Sequence, residues 1–265
     1  MSVVFNLGGG NWAGRYSKML AYKVDNENYI ANELNFTRTT TGTFVNQNGL
    51  IEEQEIRVPR VDYLNNSNGT LLVEPQSTNL ITYSQSLSNT NRNGTFVDNF
   101  AISPDGTQNA TKITATNTDP FFYQNVTLNA ATYTASLWVK GIGNSIGKEF
   151  RFAISNQTHI GNKYIIPSER ARFEFTASVA AGSLTTGVEI PDPAVVGDEV
   201  LAWGWQLEQS SYATSYIPSN SGTSVTRTYD YFNGYFDEVT TQGTVFIDFE
   251  QLKQGGGDYL SLIHI

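Results

Sequence analysis

The sequence predicts an all-β fold: a jelly-roll β-sandwich preceded by a hairpin-rich arm and followed by the start of a second sandwich. Three observations predict it. Short segments with period-two alternation recur along the chain, turn residues separate them, and no segment sustains a helical period. With 265 residues and an apolar share of 39%, the chain has ample material for a core.

Residues 1–33 are the least patterned. The Leu7-Gly8-Gly9-Gly10 run is too flexible to nucleate a strand, and it lacks the Lys-Ser/Thr of a phosphate loop. This part reads as an N-terminal arm. Residues 34–84 alternate β-prone pieces with turns at Gly42, Asn48-Gly49, Pro59 and Asn68-Gly69, the pattern of small hairpins.

From 85 to 230 the alternation is that of a sandwich. ATKITA at 110–115, FFYQNVTL at 121–128, TYTASLWVK at 132–140, EFRFAI at 149–154, RFEFTA at 172–177 and GVEI at 187–190 read as short strands. A longer last strand follows, with Leu201, Trp203, Trp205 and Leu207 on one parity and Ala202, Gly204, Gln206 and Glu208 on the other. Ser210, Ser211, Pro218, Ser219 and Gly222 then carry the chain away in an extended course. These elements suit an eight-stranded jelly roll or a related two-sheet sandwich.

Composition excludes several function classes. The net charge of −9, without a basic run, opposes nucleic-acid binding. The absence of cysteine removes disulfides, thiolate metal sites and cysteine nucleophiles. No signal-peptide pattern opens the chain, and no apolar run approaches the roughly 20 residues of a spanning helix, so membrane insertion is not expected. The Asn-x-Thr sequons at Asn35, Asn68, Asn93, Asn109, Asn125 and Asn156 are read as turn and strand composition, not as glycan sites.

Two groups of motifs resemble one family. Phe36-Thr37-Arg38, Asn48-Gly49-Leu50-Ile51, Val58-Pro59-Arg60-Val61-Asp62-Tyr63, Leu71-Leu72-Val73-Glu74-Pro75 and Thr78-Asn79-Leu80 form the first. Gly204, Gln206-Leu207-Glu208, Ala213-Thr214-Ser215-Tyr216-Ile217-Pro218, Gly222, Thr226-Arg227 and Asp230 form the second, with Ser219 where threonine is more usual. Together they are similar to tail-fibre and head-spike proteins of tailed bacteriophages, in which a jelly roll like those of carbohydrate-binding modules follows the first group. The resemblance spans Phe36 to Asp230. It implies a virion component that binds host-surface glycan, contacts other virion proteins and forms a homotrimer, although no coiled-coil heptad enforces one here. The segment 34–84 would then link the domain to its neighbours or to the virion.

After Asp230, the strand pattern at Gly243 to Leu252 is similar to the opening of a laminin-G or concanavalin-like sandwich, so 231–259 is expected to start a truncated second domain. Leu260 to Ile265 resembles a translated sequencing adapter, and the natural protein is expected to continue past Tyr259.

An enzyme is not expected. Setting His264 aside as adapter-derived leaves His159 alone, which does not make a triad. Carboxylate pairs such as Glu149 with Glu174 are candidates if their strands are neighbours, and their Arg151 and Arg172 companions favour a cross-strand charge ladder. Glu52, Glu53 and Glu55 read as a solvated face. Asp98, Asp105 and Asp119 lie in loops but match no calcium loop, so no metal and no cofactor are expected.

Binding has the better case. Tyr133, Ala135, Leu137 and Val139 form the apolar parity of their strand, which leaves Trp138 among polar neighbours on the outer face. A large aromatic there suits stacking on a sugar ring; it also suits packing under the 34–84 arm or a subunit contact. Tyr123 and Arg151, on strands that would flank Trp138, and Gln206, on the polar parity of the last strand, complete the candidate carbohydrate site. Trp203 and Trp205 are expected in the core. Two alternatives remain: a structural spacer or trimerisation domain, and the non-catalytic part of a capsule-degrading tail enzyme.

Overall fold

The structure is a computed structural model that describes residues 2–4, 18–25, 28–65, 67–154, 163–233 and 244–245. Its contacts divide the chain into two units, one drawn from residues up to Gln76 and from Arg227 onward, the other Ser77–Thr226. Among the described residues, every regular element longer than a single 3-10 turn is a strand. His159, the glycine run at 8–10 and the 260–265 tail lie outside the described residues.

In the first unit, the strands Tyr231–Asn233, Asn28–Thr37, Lys18–Asp25, Ser2–Val4 and Thr244–Val245 lie side by side in one sheet. Two long strands therefore occupy the region expected to be an unpatterned arm. Leu20, Tyr22 and Val24 do share one parity, a short signal that pairing with Asn28–Thr37 turns into eight residues of register. The described parts of 231–259 also join this sheet. Two hairpins follow as expected: Gly42–Val45 with Ile51–Gln54, and Arg60–Asp62 with Thr70–Leu72. Their turns use Gly49 at φ +74° and Gly69 at φ +76°, the left-handed conformations that Asn-Gly pairs supply.

Charged residues of both motif groups meet inside this unit. Arg38 Nη1 lies 3.0 Å from Asp230 Oδ1, Arg60 reaches the other carboxylate oxygen, and Arg60 Nη1 lies 2.8 Å from Glu74 Oε2. Arg227 Nη2 donates to the Pro75 carbonyl at 2.9 Å and stands 3.4 Å from Glu74. The amide of Glu74 donates to Asp230 Oδ2, and the amide of Asp230 to the Glu74 carbonyl, so backbone and side chains lock together. All three arginines are almost fully buried. Burial pulls the Arg38 guanidinium below its ordinary range, and the hydrogen bond with Asp230 acts against that pull.

The second unit is the jelly roll. Its ten principal strands are β1 (Asn91–Asn93), β2 (Thr95–Ala101), β3 (Ala110–Thr114), β4 (Phe121–Leu128), β5 (Ala131–Ile142), β6 (Glu149–Ile154), β7 (Lys163–Ile165), β8 (Ala171–Val179), β9 (Gly182–Asp192) and β10 (Glu199–Glu208). One sheet has the order β2-β3-β10-β5-β8 and the other β7-β6-β9-β4-β1. Every pairing within them is antiparallel. From β3 to β6 successive strands alternate between the sheets, and β8, β9 and β10 do so again, which makes the sandwich a jelly roll. Strands at 121–128 and 149–154 coincide with the sequence expectation. The unit begins at Ser77, eight residues before the expected boundary, because Leu80, Ile81 and Leu87 pack into its core.

That core is built by period-two burial from both sheets. Tyr133, Ala135, Leu137 and Val139 of β5 face Phe150, Phe152 and Ile154 of β6 and Phe122 of β4, all at most 2% exposed. Burial of such side chains contributes about 1.5–3 kcal/mol each.

Candidate functional site

A β-sandwich offers a ligand two outer sheet faces, and the chain treats them differently. On the β2-β3-β10-β5-β8 sheet, the middle of the outer face is sealed by the segment after β10. Thr134, Ser136, Gln206 and Glu208 point outward on β5 and β10, yet none is exposed. Glu208 accepts hydrogen bonds from Ser77, the Thr214 amide and hydroxyl, and Gln206 Nε2. Gln206 Oε1 accepts the Ile217 amide at 2.7 Å. Asn79 donates to the Ile217 carbonyl at 2.9 Å and accepts from the amides of Ile81 and Leu207. Tyr216 and Ser84 share a hydroxyl hydrogen bond at 2.6 Å, and burial pushes the Tyr216 phenol well above its ordinary value. The polar residues of the Gln-Leu-Glu and Ala-Thr-Ser-Tyr-Ile-Pro motifs are thus fasteners. Gln206, expected in a sugar site, has its amide group spent on this seal.

Trp138 borders this region and is half-buried. Its ring packs edge-on against Trp203 (5.2 Å between centroids) and Tyr216 (5.7 Å), and the Arg172 guanidinium lies 4.5 Å above it. Arg172 is itself held by the Thr214 carbonyl and the Ser136 hydroxyl, each at 2.9 Å. Trp138 therefore packs beneath the exit segment.

The expected parity of β10 fails in its middle. Ser136 pairs with Gln206 but Trp138 pairs with Trp203, so β10 carries one extra residue at Gly204. Gly204 sits at φ +69°, and a Cβ there would lie 2.7 Å from the Trp138 ring. The bulge keeps Val200, Ala202, Trp205 and Leu207 in the core and turns Trp203 outward onto Trp138. Trp203 and Trp205 are both buried, as expected, but on opposite faces of one strand.

Tyr123 and Arg151 lie on the other sheet. Trp138's strand β5 is flanked by β8 and β10, so neither residue neighbours it. For the same reason Glu149 on β6 and Glu174 on β8 are not cross-strand partners: Glu149 pairs with Lys163, and Glu174 stands opposite Ser136.

The outer face of the β7-β6-β9-β4-β1 sheet has the makings of a platform. Phe121 and Tyr123 stand two residues apart on β4, both half-buried, with ring centroids 5.8 Å apart and planes tilted by 40°. Register puts Asn91, Tyr123, Gly187 and Ala153 in one row, and Asn93, Phe121, Glu189, Arg151 and Lys163 in the next. Gly187 keeps the floor beside Tyr123 low, since a Cβ there would come within 2.7 Å of the Tyr123 Cβ. On the far side, the Thr185 hydroxyl donates to Asn125 Oδ1 at 3.0 Å, leaving the amide nitrogen as the donor end. Arg151 is fixed between Glu189 and Asp192.

No protein-family model matches the chain, and no curated protein matches it. Solved structures do. A family 16 carbohydrate-binding module is 17% identical, with 49% of this chain and 99% of that chain covered at a TM-score of 0.36. The CBM22-1 xylan-binding domain from Paenibacillus barcinonensis is 13% identical, with coverage of 52% and 94% and a TM-score of 0.34. The enzymatically active domain of tailspike protein 4 from bacteriophage CBA120 is 14% identical, with coverage of 49% and 21% and a TM-score of 0.33. Likeness at this level assigns neither ligand nor residue.

Sequence reasoning named Tyr123 and Arg151 but missed Phe121, Asn91, Asn125 and Glu189. The signal for Phe121 was present: it shares the outward parity of Tyr123 in FFYQNVTL, opposite the core residue Phe122. Among the described residues no group of three or more His, Cys, Asp or Glu is placed to hold a metal ion. Asp98 and Asp105 instead accept hydrogen bonds from Ser88 and Thr111, and from Ser103, Thr107 and Asn109.

Proposed function

We propose that the jelly roll is a glycan-binding adhesin module of a phage tail fibre or head spike, and that it holds host-surface carbohydrate on the face carrying Phe121 and Tyr123. One observation carries the reading: two adjacent outward aromatics stand on a sheet face whose surrounding positions hold amides, hydroxyls and the Glu189–Arg151 ion pair. Sugar rings present C–H patches to aromatic faces, and their hydroxyls both donate and accept. Asn91 and Asn125 supply amide groups for them, and Glu189 supplies acceptors. A shallow face binds weakly at each copy, and several copies on one particle raise the avidity. The virion assignment rests on the two ordered motif groups between Phe36 and Asp230. The binding is non-catalytic.

A second reading, a rigid spacer, is favoured by a separate observation. The motif residues Arg38, Arg60, Asn79, Gln206, Glu208 and Asp230 are buried fasteners, which a structural segment needs as much as an adhesin does.

The two readings part on a bacterial-surface glycan array probed with the full chain and with Phe121→Ala/Tyr123→Ala. The adhesin reading expects retention that the double variant loses by at least about tenfold, or roughly 1.4 kcal/mol. Retention unchanged in a folded double variant, or none by the wild type, sinks it and favours the spacer.

A further inference from the structure

The aromatic platform has a charged border on one side. In the row that holds Phe121, the next positions across the sheet are Glu189, Arg151 and Lys163. These charges are paired among themselves. Arg151 Nε lies 3.3 Å from Glu189 Oε2, and its Nη2 contacts Asp192. Lys163 contacts Glu149 and lies 3.8 Å from Asp192. The Glu149 hydrogen bond holds the Lys163 ammonium above its ordinary range. Three carboxylates thus face two cations, and both cations already have carboxylate partners. The carboxylate beside Phe121 is that of Glu189. The whole chain adds a field of the same sign, with a net charge of −9.

We infer that this face takes uncharged polysaccharide chains and discriminates against chains bearing uronate, sialate or phosphate groups. The inference rests on the glycan-binding reading above and deepens it. A neutral hydroxyl donates to Glu189 or Asp192 without disturbing the Arg151 pairing. A ligand anion meets a net negative border, and each cation there is already compensated by a carboxylate partner. One unit of repulsion at about 7 Å in water amounts to roughly a threefold loss of affinity per ligand charge. That loss shrinks as salt screens it over a Debye length of about 8 Å. Polymers with one charge on every repeat compound the effect.

Affinity gel electrophoresis of the full chain tests this, with neutral polymers (β-glucan, xylan, mannan, dextran) in one set of gels and uronate polymers (polygalacturonate, alginate, hyaluronate) in another. The expected result is retardation by a neutral polymer that Tyr123→Ala abolishes and that salt barely changes, with uronate polymers retarding at least about threefold less at low salt. Glu189→Gln should narrow that gap. If the variant does not fold, the wild type at rising salt gives the same reading, because screening should narrow the gap too. Retardation by a uronate polymer as strong as or stronger than by the neutral ones, and lost in Tyr123→Ala, overturns the selectivity and leaves the site standing. Retardation by neither set, or retardation that Tyr123→Ala leaves unchanged, overturns the site and the inference together.

Discussion

Arg38 and Asp230 lie 192 positions apart, yet Nη1 of one stands 3.0 Å from Oδ1 of the other with both side chains wholly shielded from solvent. Asp230 also holds Arg60, so its carboxylate bridges two buried guanidinium groups, and Glu74 supplies Arg60 with a second partner. The pairing matters chiefly through what its loss would leave behind, since an uncompensated buried charge costs more than the intact pair gains. Asp230→Asn should therefore destabilise the first unit by about 3–5 kcal/mol, read as a lower urea midpoint by circular dichroism. An unchanged midpoint would mean that water reaches the cluster.

Gly204 carries the bulge of β10. Alanine there would have to hold φ near +69° and place its Cβ 2.7 Å from the Trp138 ring. Gly204→Ala should cost about 1–3 kcal/mol and shift the tryptophan emission, since Trp138 and Trp203 must repack. A wild-type midpoint and spectrum would show that the strand has another way to absorb the extra residue.

Tyr123 and Trp138 should separate binding from stability. Tyr123→Ala should abolish glycan retention with a small effect on unfolding. Trp138→Ala removes a ring wedged between Trp203, Tyr216 and Arg172, and should cost about 3–5 kcal/mol while leaving the retention of folded protein intact. Loss of retention in folded Trp138→Ala, with Tyr123→Ala unaffected, would move the site to the other sheet.

Asp105 links stability to acid. Burial acts to raise its pKa, but the hydrogen bonds from Ser103, Thr107 and Asn109 outweigh it and leave the carboxyl below the usual 3.8. A depressed carboxylate contributes stability that is complete above its unfolded value and is lost as pH falls through the folded one. Asp105→Asn should therefore lower the melting temperature at neutral pH. The gap to the wild type should begin to close below about pH 4 and keep closing as the pH drops. A gap of constant size across that range would assign the effect to loop geometry and not to the charge.

Much of the jelly roll was legible locally. FFYQNVTL and EFRFAI alternate strictly enough to define both ends of their strands, and the Asn-Gly turns mark two hairpins of the first unit. The long strand Lys18–Asp25 was missed because its alternation runs to only three apolar positions beside a glycine-rich stretch. The candidate site was half legible: Tyr123 and Arg151 do share a face, while Trp138 and Gln206 belong to the opposite one.

By itself the sequence determined the fold class, most strands of the sandwich and the apolar parity of each regular strand, because period-two burial is a property of neighbouring residues. Tertiary structure alone decided which strands share a sheet, and hence which outward residues meet. It also decided that one extra residue at Gly204 turns Trp203 away from Trp205, and that the exit segment seals one outer face. Parity counts along a strand, whereas sheet membership, bulges and coverage depend on segments far away in the chain. The outer face that the motif residues leave open is therefore the one that carries Phe121 and Tyr123.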